Sequence, residues 1–201
     1  MPFEALRYTK GVVIVPGKSE YNLVRYIYTN LHLPIKIIRE NRGSIQINGL
    51  KNFLDRSPFL TPKKFAEEYS VEYDKKTKKL KKFKLFIIMD TDDCCETAMN
   101  AYISGELFNG HPLNEYIVPI YNRTNLEDVM MRAGIMVKRI ANSEKGTYYS
   151  KIFPINTGPV NADSINQIRT FAEKLKKVEE TNMLELIEYC FEQLPDERLW
   201  K

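Results

Sequence analysis

Cysteine, histidine and tryptophan are scarce in this chain: three, two and one among 201 residues. Cys94 and Cys95 are neighbours and Cys190 lies far off, with no CxxC and only His32 and His111 to complete a ligand set. A disulfide framework and a structural zinc site are therefore not expected. Long apolar runs are missing too, so no stretch is long enough to span a bilayer. The opening MPFEALRYTK lacks the apolar segment of a signal peptide, and the expectation is a cytoplasmic chain with no membrane contact. No internal repeat or low-complexity linker divides the sequence.

What is there is the composition of an ordinary globular protein, 43% hydrophobic and 28% charged. This length holds one domain with a real core and an appended helical tail. The net charge of +4 is mild but unevenly spread. Lys75, Lys76, Lys78, Lys79, Lys81, Lys82 and Lys84 crowd into DKKTKKLKKFK. Such a run either meets phosphates or keeps a surface turn solvated.

The apolar pattern alternates between strand and helix. Gly11–Val15, GVVIV, reads as a first buried strand, and it stops at the Pro16-Gly17 turn signal. Ser19 is a candidate N-cap for a helix carrying Leu23, Ile27 and Leu31 and ending near Pro34. Ile35–Ile38 is a second strand; Ile45 and Ile47 alternate before a turn expected at Asn48-Gly49 and a short helix. Thr61-Pro62 opens another helix. Further helices are expected over Cys94–Leu107, from Leu126, and over Ser164–Val178 and Thr181–Leu194, with Thr124 or Asn125 capping the second. Tyr116–Tyr121 reads as a strand that Pro119 places near an edge, and 138–163 as loop with short elements. Strands alternating with helices imply an α/β fold with parallel pairing.

The most informative stretch is Lys84–Asp93, KLFIIMDTDD. Its apolar run fits a strand buried on both faces, and it ends in Asp90, Asp92 and Asp93, at the strand end where open α/β sheets bind ligands. Carboxylates held together there repel unless a cation lies between them, and an all-oxygen cluster suits Mg²⁺ or Mn²⁺. The alternative is a polar turn capping the next helix. A phosphate-binding loop at Gly17-Lys18-Ser19 fails on spacing, because the required earlier glycine falls on Val12 and Gly11 is one place too early. A haloacid-dehalogenase phosphatase would make Asp90 the nucleophile and Asp92 the acid, but its DxD lies on the first strand of its fold.

Both strand ends together, VVIVPGKSE and LFIIMDTDD with SIQINGL between them, resemble the Toprim domain over about residues 10–128. That domain occurs in topoisomerases, bacterial primases, maturation ribonucleases, and the overcoming-lysogenization-defect and related phage-defence nucleases. The resemblance implies a Rossmann-like Toprim fold, a mainly parallel sheet flanked by helices, over 1–128. Residues 129–201 would form a mainly helical C-terminal extension packed on the same domain or serving as a homodimer seam. It implies Glu20, Asp90 and Asp92 as catalytic acids, and Glu20, Asp90, Asp92, Asp93 and Glu127 as ligands of Mg²⁺ or Mn²⁺. The substrate would be nucleic acid, DNA or RNA, with Lys18, Lys81 and Lys82 on its backbone. The small defence-associated members imply an antiviral effector nuclease working with an ATPase partner. One departure stands out: the family's glutamate before the turn glycine is Pro16 here. Catalysis is then either rerouted through Glu20 or Glu127, or lost, leaving a degenerate module that binds a partner or nucleic acid. Local readings stay open beside these: Glu20, Glu127 and Asp128 suit the positive end of a helix, worth about 0.3–1 kcal/mol each. Tyr26, Tyr28, Tyr148 and Tyr149 are candidates for base stacking or for core, and Gly17 permits the turn.

Overall fold

The computed structural model describes residues 8–40, 45–140, 144–158 and 160–194. Its centre is a four-stranded, wholly parallel sheet in the order β2-β1-β5-β6. These strands are β1 (Gly11–Val15), β2 (Ile35–Arg39), β5 (Lys84–Asp90) and β6 (Ile117–Asn122). β1 is buried along its whole length, and so are Leu85–Met89 of β5, as unbroken apolar runs should be when helices cover both faces. Alternation divides the two strands between two cores. Val13, Val15, Phe86 and Ile88 face one, and Val12, Ile14, Leu85, Ile87 and Met89 face the other.

The first face is covered by α1 (Lys18–Asn30), α5 (Leu126–Arg132), α6 (Lys145–Ile152), α7 (Ala162–Leu175) and α8 (Leu184–Glu192). The second is covered by α2 (Ile47–Leu54), α3 (Pro62–Tyr69) and α4 (Glu96–Ile103). A small antiparallel hairpin of β3 (Tyr73–Asp74) and β4 (Lys79–Leu80) adds Leu80 to that core. This is an α/β, Rossmann-like arrangement. The C-terminal helices are one of its two layers: Tyr149, Phe153, Ile165, Ile168 and Phe171 share a core with Val13, Val15 and Tyr26.

Several local expectations are met with their chemistry visible. Thr61 caps α3, its Oγ1 accepting from Lys64 N at 3.2 Å, with Pro62 at the first helical position. Asn125 rather than Thr124 caps α5, accepting from Asp128 N at 3.0 Å. β6 is an edge strand, which accommodates Pro119. A cover lies along that edge: Asn182 Nδ2 donates to Pro119 O and its Oδ1 accepts from Tyr121 N, at 2.9 and 2.8 Å.

Others are corrected. Ser19 does not cap α1; the cap position is Gly17 and Ser19 is already helical. Asn48-Gly49 is no turn but the first turn of α2, because Ile47, Leu50 and Leu54 recur at helical spacing and bury together. The helix expected over Cys94–Leu107 ends at Ile103, where Gly105 turns left-handed (φ +81) into a short 3₁₀ turn at Glu106–Phe108. Tyr26 and Tyr149 are core residues, 4% and 1% exposed, and offer no face to a base. Tyr26 packs instead on Phe153 and Phe171. Tyr28 and Tyr148 pack, partly buried, against the same core.

Candidate active site

All four parallel strands end at one edge of the sheet. From β1 the chain crosses to β2 on one side and later returns to β5 on the other, so the gap between β1 and β5 is the topological switch point. Beyond β1, Pro16-Gly17 delivers the chain into α1, whose first turn carries Glu20, buried at 4% exposure. Gly17 lies at φ −148°, an extended backbone open to any residue, so the turn itself does not require glycine. A Cβ at Gly17 would stand 3.0 Å from Glu20 Oε2, so any larger residue would displace that carboxylate.

β5 supplies the second acid. Phe86 and Ile88 face the α1 side, so the two-residue period sends Asp90 there as well. Asp92 follows in the turn, held near α5 by Asn125 Nδ2 at 3.5 Å. Glu127 sits in the first turn of α5, after β6. Three strand ends thus bring Glu20, Asp90, Asp92 and Glu127 towards one another. Asp90 registers the result. Burial, then the charges of Glu20, Asp92 and Glu127, push its carboxyl up to about 8, against a hydrogen bond from Asn122 Nδ2 at 2.9 Å that favours the charged form. In the metal-free chain Asp90 therefore holds its proton more tightly than an ordinary aspartate does.

Residues outside the acidic motifs complete the setting. Asn122 is fully buried at the end of β6, opposite Asp90 in register, and its own Oδ1 accepts from Thr181 at 2.9 Å. Thr91, between the two acids, ties the β5 turn to the β6 turn by donating its N–H to Asn122 O and Thr124 O, both at 3.1 Å. Tyr149, from α6, donates its hydroxyl to Glu127 Oε1 at 3.2 Å, and Ser19 reaches the same oxygen at 3.4 Å. Burial raises the Tyr149 hydroxyl well above its ordinary range, so it remains a donor. Asn122 had a readable signal, a polar residue closing an apolar strand beside the acidic one. Tyr149 had none, because only the tertiary fold carries α6 to the strand ends.

The remaining candidates fall elsewhere. Asp93 accepts from Gln46 Nε2 at 3.0 Å, on the α2 side, and does not figure among the charges acting on Asp90. Asp128 donates its backbone N–H to the Asn125 cap, and its carboxylate pairs with Arg139 at 2.8 Å. Lys18 is exposed beside the acids at the start of α1. Lys81 and Lys82 precede β5 and so stand at the opposite edge of the sheet, with Lys81 paired to Asp74 at 3.2 Å.

Glu20, Asp90, Asp92 and Glu127 offer only oxygen, which fits a hard divalent cation. Among the described residues no three His, Cys, Asp or Glu side chains form a ready metal-ligand group, so the acids face one another without closing on a point. No described helix is long and apolar enough to cross a membrane. Comparison of the chain with protein-family models, with curated proteins and with solved structures finds no match.

Proposed function

We propose that this chain is a metal-dependent nuclease of the Toprim type, hydrolysing nucleic-acid phosphodiesters from the switch point between β1 and β5. The observation that carries this reading is the delivery of Glu20, Asp90, Asp92 and Glu127 from three strand ends to the switch point, where burial and the neighbouring acids push the Asp90 carboxyl upward. A fold gains nothing in stability from such crowding, and perturbed acids gathered in a cleft mark functional sites. Mg²⁺ or Mn²⁺ held by Glu20, Asp90, Asp92 and Glu127 would supply an activated water and charge neutralisation at the scissile phosphate. The protein's own residues prepare for this. Asn122 orients Asp90, Tyr149 and Ser19 hold Glu127, and Gly17 leaves room for Glu20. Lys18 is placed to meet a backbone phosphate. Glu20, one helical turn beyond Pro16, stands in for the family's missing glutamate.

An antiviral role with an ATPase partner belongs to the same proposal. The chain's own GKS turn follows a fully buried Val12 in β1, where a phosphate loop needs glycine. A second reading, a Toprim module that binds without cutting, is favoured by Pro16 and by the unclosed arrangement of the acids.

The test is cleavage of labelled tRNA, single-stranded DNA and plasmid with Mn²⁺ or Mg²⁺ against EDTA, beside Asp90→Ala. Metal-dependent cutting that vanishes in the variant is the expected result. Absence of cutting with the partner ATPase supplied, by a protein whose melting point shifts with neither metal, would favour the binding module.

A further inference from the structure

The lysine-rich hairpin lies outside the site described above. Its fold is tight: Asp74 Oδ1 accepts from Lys76 N and Thr77 N at 2.8 and 3.3 Å, and Lys78 N returns to Asp74 O at 2.8 Å. Seven lysines within Asp74–Lys84 are exposed, while the apolar Leu80 and Phe83 are buried beneath them. Two of the lysines are neutralised in place, Lys79 by Glu115 at 2.8 Å and Lys81 by Asp74 at 3.2 Å. Among the described residues no ion pair takes up Lys75, Lys76, Lys78 or Lys82.

A second observation separates this run from a merely solvated turn. Lys78 and Lys82 both lie in the left-handed region, at φ +59° and +46°. That conformation suits glycine or asparagine and costs other residues stability. A lysine at both places keeps a charge where glycine or asparagine would fold more easily.

We infer that this hairpin is a nucleic-acid-binding exosite, gripping backbone phosphates with Lys75, Lys76, Lys78 and Lys82 at the sheet edge opposite the acids. The ligand's identity rests on the nuclease reading; the binding does not rest on catalysis. The hairpin tip, Lys75-Lys76-Thr77-Lys78, has no apolar side chain to enter a bilayer, which disfavours a membrane surface. The strand between the two places, Lys84–Asp90, spans about 20 Å. A nucleic acid touching both must therefore be at least about six base pairs long.

The test uses the full chain with Lys75→Gln, Lys76→Gln, Lys78→Asn and Lys82→Asn together, leaving the paired Lys79 and Lys81 alone. Binding of a labelled 24-base-pair DNA duplex and of a tetranucleotide is followed against salt in EDTA, with anionic phosphatidylserine vesicles in parallel. The variant is expected to melt no lower than the parent, because asparagine relieves both left-handed positions. Its duplex affinity should fall at least about tenfold and its salt slope by about 2–4, at roughly 0.9 per lost phosphate contact. Because binding is read in EDTA, where no metal-dependent cleavage takes place, failure of the exosite is separated from failure of the catalytic reading. Unchanged duplex affinity and slope, or no duplex binding by the parent, would overturn the inference. So would loss of vesicle binding with duplex binding intact.

Discussion

At the scale of single residues, Asp90 is where stability and activity part. Its folded carboxyl titrates at about 8, far above the ordinary aspartate value near 3.9 that it regains on unfolding. Between these values the folded chain binds the extra proton, so the metal-free protein loses stability as pH rises from about 4 to about 8. Thermal melts in EDTA should show a decline on the order of 2 kcal/mol, allowing for partial solvent screening, and Asp90→Asn should flatten it. The same variant should remove metal-dependent cleavage, so a stabilised but inactive protein is the expected phenotype. Tyr149→Phe makes a narrower prediction. The ring still fills its place in the core, but Glu127 loses a donor, a change of about 1–2 kcal/mol at the acid. It should appear as a roughly tenfold higher Mn²⁺ concentration needed for half-maximal activity, with little change in melting point. Asp90 and Asp92 were legible in the sequence because they interrupt an apolar run. Tyr149 was not, since its partner lies 22 residues away and only tertiary packing brings α6 beside α5.

At the scale of elements, two caps of the same chemistry allow a controlled comparison. Asn125 accepts from Asp128 N at 3.0 Å and Asn161 from Ser164 N at 2.9 Å. Each should cost about 1 kcal/mol on replacement by alanine, read from denaturant midpoints. Only Asn125 also touches Asp92, so only Asn125→Ala should reduce activity beyond its effect on stability. Gly17→Ala is a similar discriminator. The extended backbone tolerates the new methyl group, and the Glu20 carboxylate must yield to it, so activity should drop while the melting point holds. The element pattern was largely readable, because buried parallel strands and amphipathic helices differ in period. It failed where two signals overlapped. In SIQINGLKNFL the alternation of Ile45 and Ile47 runs into the helical spacing of Ile47, Leu50 and Leu54, and the longer pattern wins because it buries more. The lysine run was visible by composition, but its position opposite the acids follows only from the direction of β5.

At the scale of the whole molecule, the sequence resemblance stops near residue 128, whereas the core does not. Phe153, Ile165, Phe171 and Ile187 complete the face that Val13, Val15 and Ile88 begin. A fragment ending at residue 128 should therefore expose the first face of the sheet and fail to fold, as circular dichroism and hydrogen exchange would show. A folded, cooperative fragment would contradict this. Motif content ends at residue 128 because motifs report chemistry, whereas the extension packed on the same domain is a matter of packing.

The amide of Asn182 has one more consequence, for assembly. By meeting both Pro119 O and Tyr121 N, a side chain occupies hydrogen-bonding groups that another molecule's strand would use. Polymerisation through sheet edges needs two reactive ends on every monomer, and here β6 is chemically blocked. Among the described residues, strand pairing onto the central sheet is thereby confined to its β2 edge, so the sheet offers one free edge rather than the two that head-to-tail growth would need.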